Sequence, residues 1–221
     1  MAKVTRARYD QSYAAIEEDI LKMGSLVQDA IRNSIESLKQ RDKNLAQDVI
    51  DRDQRINDLR FKVEEACLTL IATQQPTAGD LRAVVAAMNI VVDMERMADH
   101  ASGIAKTVIR MGDEPLLKPL IDLPKMADLA RQMLSDGLKA FIERDEVAAK
   151  AIAPRDEEMD YLYKAIFDEL VEIMAHKPGS VERATYLLWC GHNLERIGDR
   201  AINIVERVVF MTTGNMRELT F

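Results

Sequence analysis

Apolar residues recur along this chain at intervals of three and four, in runs much longer than an average globular helix. From about Thr5 to Gln40 the stripe is Ile16, Ile20, Met23, Val27, Ala30, Ile31 and Leu38. It stops at Arg41-Asp42-Lys43-Asn44, where Asp42 is placed to cap the next helix. That second helix is predicted from about Lys43 to Thr73 on Ile56, Leu59, Val63, Ala66 and Leu70. QQPTAGD ends it, because Pro76 lacks the N–H a helix needs and drives Gln75 out of the helical region. Thr77 then stands as the cap of a third helix reaching about Met111, with Asp80 as an acidic variant of the capping box. Residues 113–124 contain Pro115, Pro119 and Pro124, the only proline-dense stretch, and read as a linker. A fourth helix is predicted over 125–143 and a fifth over 147–175. HKPGS, with Pro178 and Gly179, ends the fifth, and Ser180 caps a sixth that reaches about Thr212.

The order of long helix, Arg-Asp turn, long helix, proline turn, long helix thus occurs twice. The register agrees. Met94, Met97, Ala101, Ile104, Val108 and Met111 are each followed, one hundred positions later, by Leu194, Ile197, Ala201, Ile204, Val208 and Met211. RDQRINDL at 52–59 resembles RDEEMDYL at 155–162. An internal duplication follows. The reading is all-α: two tandem three-helix bundles over 1–112 and 125–221, with short turns that demand antiparallel neighbours.

Composition narrows the function classes. Only 9 Gly and 6 Pro in 221 residues argue against turn-rich β folds. The formal charge of −7 argues against broad nucleic-acid binding. Cys67 and Cys190 have no metal or redox spacing and read as buried apolar residues or free thiols of a reducing compartment. The N-terminal stretch has no signal-peptide core, and AVVAAMNIVV is too short to span a bilayer, so a soluble cytoplasmic protein is expected.

The chemistry-bearing residues lie beside the stripes. DMERMADH and NLERIGDR share E-R-x-x-D, which places Glu95 with Asp99, and Glu195 with Asp199, one turn apart on one helix face. That face points roughly 160° away from the apolar stripe, so both pairs are expected outside the bundle core. On the preceding helix of each half, Asp53 with Asn57 and Asp156 with Asp160 stand at matching height. Asp53 is 23 residues before Pro76 and Asp99 is 23 after it; Asp156 is 22 before Pro178 and Asp199 is 21 after. Each half is therefore expected to carry a surface cluster of carboxyl and amide oxygens.

Two readings of these clusters compete. In one, Arg96, Arg155, Arg196 and Arg200 neutralise them as ion pairs. In the other they bind a hard metal ion, Mg²⁺, Mn²⁺, Fe or Ca²⁺; the lack of nearby sulfur and the scarcity of His disfavour structural zinc. Weaker candidates fall away. His100 reads as a surface residue, and His176 as a cation at a helix C-terminus. Cys190 and His192, two apart, face different ways. The Met-rich stripes read as core filling. Neither a Glu-x-x-His di-iron motif nor a glycine-rich phosphate loop is present.

The stretches QPTAGDLRAVVAAMNIVVDMERMADHA (75–101) and LLWCGHNLERIGDRAINI (187–204), with Met23-Gly24, resemble the PhoU family of phosphate-regulon regulators over nearly the whole chain. The resemblance implies a pseudo-twofold pair of three-helix bundles. It implies a negative regulator of the phosphate-starvation response and of phosphate uptake, linking the ATPase subunit of the phosphate ABC transporter to a sensor histidine kinase. It further implies metal ions (Fe, Zn, Mg or Mn) on the E(D)-x-x-x-D motifs. These match Glu95/Asp99 and Glu195/Asp199, with Asp156/Asp160 and Asp53 on the neighbouring helices. Two departures stand out: Asn57 replaces the second acid after Asp53, and Asn193 replaces the acid found at Asp93. A scaffold rather than an enzyme is the favoured reading, and a homodimer is expected. A metal-dependent enzyme and a purely structural tether are the alternatives. Turnover of phosphate esters or oxygen would mark the first, and absence of metal after chelator-free purification the second.

Overall fold

The computed structural model describes residues 2–215, with side chains from Arg6 onward; residues 216–221, at the end of the expected second bundle, lie outside them. Three long helices come first: α1 (Ala2–Gln40), α2 (Lys43–Gln74) and α3 (Ala78–Met111). Then follow α4 (Asp122–Glu143), the short α5 (Glu146–Lys150), α6 (Arg155–His176), a 3₁₀ turn at Pro178–Ser180 and α7 (Val181–Thr213). Helices α1, α2 and α3 pack on one another, as do α4, α6 and α7. No strand occurs among the described residues, and the connection between the triplets, 112–121, is non-helical.

The turns show why the helices end where they do. Arg41 and Arg144 both take left-handed backbone (φ 60° and 53°), which reverses the chain. The aspartate after each caps the next helix. Asp42 accepts from the N–H groups of Asn44 and Leu45, and Asp145 from that of Ala148. Gln75, before Pro76, is likewise left-handed.

Four sequence expectations need correction. The fifth helix does not run unbroken from 147. Pro154 cannot donate within a helix, so α5 ends at Lys150 and α6 starts at Arg155. The fourth helix starts at Asp122 rather than 125, because Pro124 falls in its first turn, where the missing N–H costs nothing. Thr77 and Ser180 occupy cap positions without capping through their side chains. Asp80 instead pairs with Arg6, and the Ser180 hydroxyl donates back to the Lys177 carbonyl.

The core stripes are buried as predicted. Met94, Met97, Ala101 and Ile104 of α3 and Leu194, Ile197, Ala201 and Ile204 of α7 are fully enclosed. One continuous apolar cluster includes residues from both helix triplets. The most extensive packing of any helix pair is between α3 and α7, one from each triplet. A second crossing, α1 on α4, is so close that a Cβ on Gly24 would lie 2.2 Å from Leu138 Cδ1. Glycine at position 24 permits that approach.

The α3–α7 seam is antiparallel with a fixed register. Arg82 Nε donates to the Met211 carbonyl (3.2 Å) near one end. Eleven residues further along α3, Asp93 meets Arg200, eleven residues back along α7. Seven more bring His100 to Asn193. The last two pairs are images of each other under the hundred-residue repeat, so a pseudo-twofold relation runs through the seam. Asp93 Oδ1 accepts from Arg200 Nη1 (3.3 Å) and from Asn203 Nδ2 (3.0 Å). Its image is neutral: His100 Nδ1 lies 3.0 Å from Asn193 Oδ1. His100 is thus half-buried between the triplets rather than a surface residue. Burial holds its imidazole below the ordinary value, while the bond to Asn193 opposes that.

Candidate functional site

The sequence-predicted acids come together in two groups, one on α2 and α3, the other on α6 and α7. In the first, Asn57 Nδ2 donates to Asp53 Oδ2 at 3.3 Å, the i,i+4 contact that orders one face of α2. Across from them stand Glu95 and Asp99. Burial raises the Asp53 carboxyl above its usual range, and the Asp99 charge adds to this, against Lys106 and the Asn57 bond. Burial raises Glu95 too, with Asp99 and Asp53 adding and Arg96 and Arg60 opposing.

Glu95 departs from expectation. It was placed outside the core, yet it is buried, at 9% exposure. The reason is that α3 packs on α1, α2 and α7 together, which leaves little of its circumference to water. A position turned away from the apolar stripe is therefore covered all the same. Asp99, one turn further on, stays open.

Arg60 of α2 is the second counter-charge of Glu95, after Arg96. Its Nη1 lies 3.5 Å from Glu95 Oε1, and its Nε lies 3.3 Å from Glu64 Oε1. Arg96 lies 3.4 Å from Glu95 Oε2 and 3.2 Å from Asp99 Oδ2. Glu95 Oε2 is nevertheless fully covered and accepts no hydrogen bond.

The second group has four acids. Burial raises Asp156, and Asp160 and Asp199 add to it. Glu195 is raised by burial, then by Asp199, Asp160 and Asp156, with Arg196 opposing. Asp199 is raised by burial and by Asp160, and held down by Arg196, Arg200 and His192. Arg196 Nη1 reaches Asp199 Oδ2 at 2.7 Å. His192 Nδ1 lies 3.4 Å from Glu195 Oε2, an oxygen that is covered and accepts no hydrogen bond. Where α2 has Arg60, α6 has Tyr163, 103 positions later in the RDQRINDL/RDEEMDYL register. Burial and the Glu195 charge raise the Tyr163 phenol.

Of the four arginines expected to neutralise the clusters, Arg96 and Arg196 pair directly with their acids and Arg200 acts on Asp199 through its charge. Arg200 bonds Asp93 across the seam, and Arg155 pairs with Asp136 of α4 at 2.6 Å. Sequence reasoning missed Arg60, Tyr163 and the reach of His192. The signals were there: Arg60 and Tyr163 stand seven residues, two turns, after Asp53 and Asp156, and His192 stands three before Glu195. Cys67 and Cys190 are buried, and burial pushes both thiols up to about 12, so neither offers a thiolate near neutrality. His176 is the last residue of α6 and bonds the Glu172 carbonyl at 2.9 Å.

The donor chemistry suits a hard cation: carboxylate and amide oxygens, with one imidazole beside the second group. The covered, unbonded Glu95 Oε2 and Glu195 Oε2 are lone-pair sites that lack a hydrogen-bond donor. As the side chains stand, no three His, Cys, Asp or Glu groups among the described residues converge on one point. The acids share a patch, and an ion would have to draw them together.

Paired helix triplets with an acid patch on each define a duplicated, all-helical scaffold. The PhoU domain family model matches residues 20–108 and 123–208, one match per half, and the chain belongs to the PhoU family. The "Phosphate-specific transport system accessory protein PhoU homolog" of Clostridium acetobutylicum is 35% identical over 217 residues, 98% of this chain and 99% of the relative. The protein of that description from Aquifex aeolicus is 35% identical over 90% of both chains. The crystal structure of PhoU from Pseudomonas aeruginosa has a TM-score of 0.89 and 30% identity, covering 94% of this chain and 100% of that one. The phosphate transport system regulatory protein PhoU from Streptococcus pneumoniae gives 0.89 and 33%, covering 96% and 100%.

Proposed function

We propose that this chain is a non-catalytic accessory and regulatory protein of phosphate transport. In this reading it restrains phosphate uptake and the phosphate-starvation response as a cytoplasmic, homodimeric adaptor between the transporter's ATPase subunit and a sensor histidine kinase. The observation that carries the reading is the family match in both halves, with full-length relatives described as phosphate-specific transport accessory proteins. No helix among the described residues is long and apolar enough to cross a membrane.

Metal ions (Fe, Mn, Mg or Zn) are proposed to bind the acid patches. Asp156, Asp160, Glu195 and Asp199 would hold one in the second half, and Asp53, Glu95 and Asp99 are the candidates in the first. A bound cation would supply the charge that lets crowded carboxylates on two helices approach, fixing the helices relative to each other. The chain's own part is to hold the acids on rigid helices at equal height, so that the outer face keeps one shape for a partner.

Deleting the gene and following a phosphate-starvation reporter in phosphate-rich medium tests the regulatory reading. Reporter activity that turns on despite ample phosphate, with the ATPase subunit and kinase recovered on the tagged protein, is the expected result. A reporter that stays off, with neither protein recovered, would overturn it. Light scattering of the purified chain reads the dimer.

A further inference from the structure

We infer that the two acid patches are not equivalent: Arg60 serves as a built-in cation in the first, so that hard-cation binding is confined to the second. This rests on the reading that the patches take metal, and it concerns which half does so. Four acids of the first patch, Asp53, Glu64, Glu95 and Asp99, face three basic side chains: Arg60, Arg96 and Lys106. Four acids of the second, Asp156, Asp160, Glu195 and Asp199, face Arg196, with Arg200 reaching Asp199 only while bonded to Asp93.

The differences fall at matched positions. Arg60 becomes Tyr163, which removes the only cation that α2 sends against Glu95 and leaves none at the equivalent place on α6. Asn57 becomes Asp160, a charged oxygen in place of a neutral amide. Lys106 becomes Glu206, which is ion-paired with Arg207. His192 adds an imidazole nitrogen 3.4 Å from Glu195 Oε2, where Val92 has none. A cation entering the first patch would meet the Arg60 guanidinium 3.5 Å from Glu95 Oε1 and that of Arg96 3.4 Å from Oε2, and repulsion at that range is strong in a partly desolvated site. A cation entering the second meets a larger acid excess, and finds there the same covered, unbonded carboxylate oxygen that Glu95 has in the first, with no arginine facing it from the neighbouring helix.

Elemental analysis after equilibrium dialysis against Mn²⁺ tests this on the full-length protein, with circular dichroism confirming the fold of each variant. Wild type should bind roughly one ion per chain, as an acid set of this size would hold. Glu95→Gln with Asp99→Asn should leave that unchanged, and Glu195→Gln with Asp199→Asn should abolish it. Tyr163→Arg should weaken Mn²⁺ binding by roughly tenfold or more, since it installs the counter-charge of the other half. Arg60→Tyr should add binding that depends on Glu95 and Asp99. Ions bound in both halves of the wild type, or lost only with the first-half acids, would overturn the inference and leave the metal reading standing. No Mn²⁺ on wild type or on Arg60→Tyr would overturn both.

Discussion

The two halves bury the same stripes at the same spacing, yet they neutralise the same acids differently. On α2 and α3, Glu95 is covered and answered by Arg96 from its own helix and also by Arg60 from the facing one. On α6 and α7, Glu195 is answered by Arg196 from its own helix, touched by His192, and faced across by a tyrosine. Duplication preserved the fold because the apolar register is nearly all the fold requires. The polar face was free to diverge, and one change, arginine for tyrosine, decides whether a patch is closed by the chain or left for a ligand.

The largest expected effect comes from saturating the second patch. With Mn²⁺ at about a hundred times its dissociation constant, the folded state should gain roughly 2.7 kcal/mol. Glu195→Gln/Asp199→Asn should abolish that gain and Glu95→Gln/Asp99→Asn should not, as read by thermal melting with and without chelator. Equal losses in the two variants would erase the contrast. Next in size, Arg60→Met strands Glu64 and Glu95 without their shared partner. It should cost about 1–2 kcal/mol in metal-free denaturant unfolding, since each charged hydrogen bond is worth that order. Tyr163→Phe should fall within about 0.5 kcal/mol of wild type, as for most changes that break no buried network.

How far the sequence goes is clearest at the turns. Asp42 capping α2 was legible because a cap and the helix it starts are neighbours in the chain. The acid patches were legible for a related reason: equal distances from a proline turn place residues at equal height on antiparallel helices. Glu95's burial and His100's partner were not legible. Both depend on α7 lying along α3, a contact between helices about a hundred residues apart that no local period encodes. Pro154 was legible in principle. The apolar pattern runs on across it, and the structure shows that backbone chemistry wins there.

Smaller effects sharpen the contrast in the metal-free protein. Glu195→Gln removes one charge from a crowded set with few counter-ions and should stabilise the fold by roughly 0.5 kcal/mol, in line with like-charge costs on helices. Glu95→Gln should not stabilise it, because Arg60 and Arg96 would each lose one of their two acid partners. The acidity profile separates the seam from the patches. Asp53, Glu95, Asp156, Glu195 and Asp199 have raised folded-state values, so the folded chain binds protons more tightly than the unfolded chain. Their contribution to stability therefore rises as pH falls from neutrality toward the ordinary carboxylate values of 3.8 and 4.5. His100 is lowered, so its contribution runs the other way. It is present above the ordinary value of 6.5 and is lost as pH falls below it. Denaturant midpoints between pH 7 and 5 should show a dip in wild type that His100→Gln removes.

The chain's single tryptophan gives the most direct test of the central claim, that the second patch alone is open to a cation. Trp189 sits 6.4 Å from the His192 ring, and His192 touches Glu195, whereas the first patch has no tryptophan. Titrating wild type with Mn²⁺, a paramagnetic quencher, should reduce Trp189 emission saturably, with the midpoint moved up roughly tenfold or more in Tyr163→Arg and the quenching abolished in Glu195→Gln/Asp199→Asn. Stoichiometric Mn²⁺ uptake with unchanged emission would place the ion elsewhere and contradict the account.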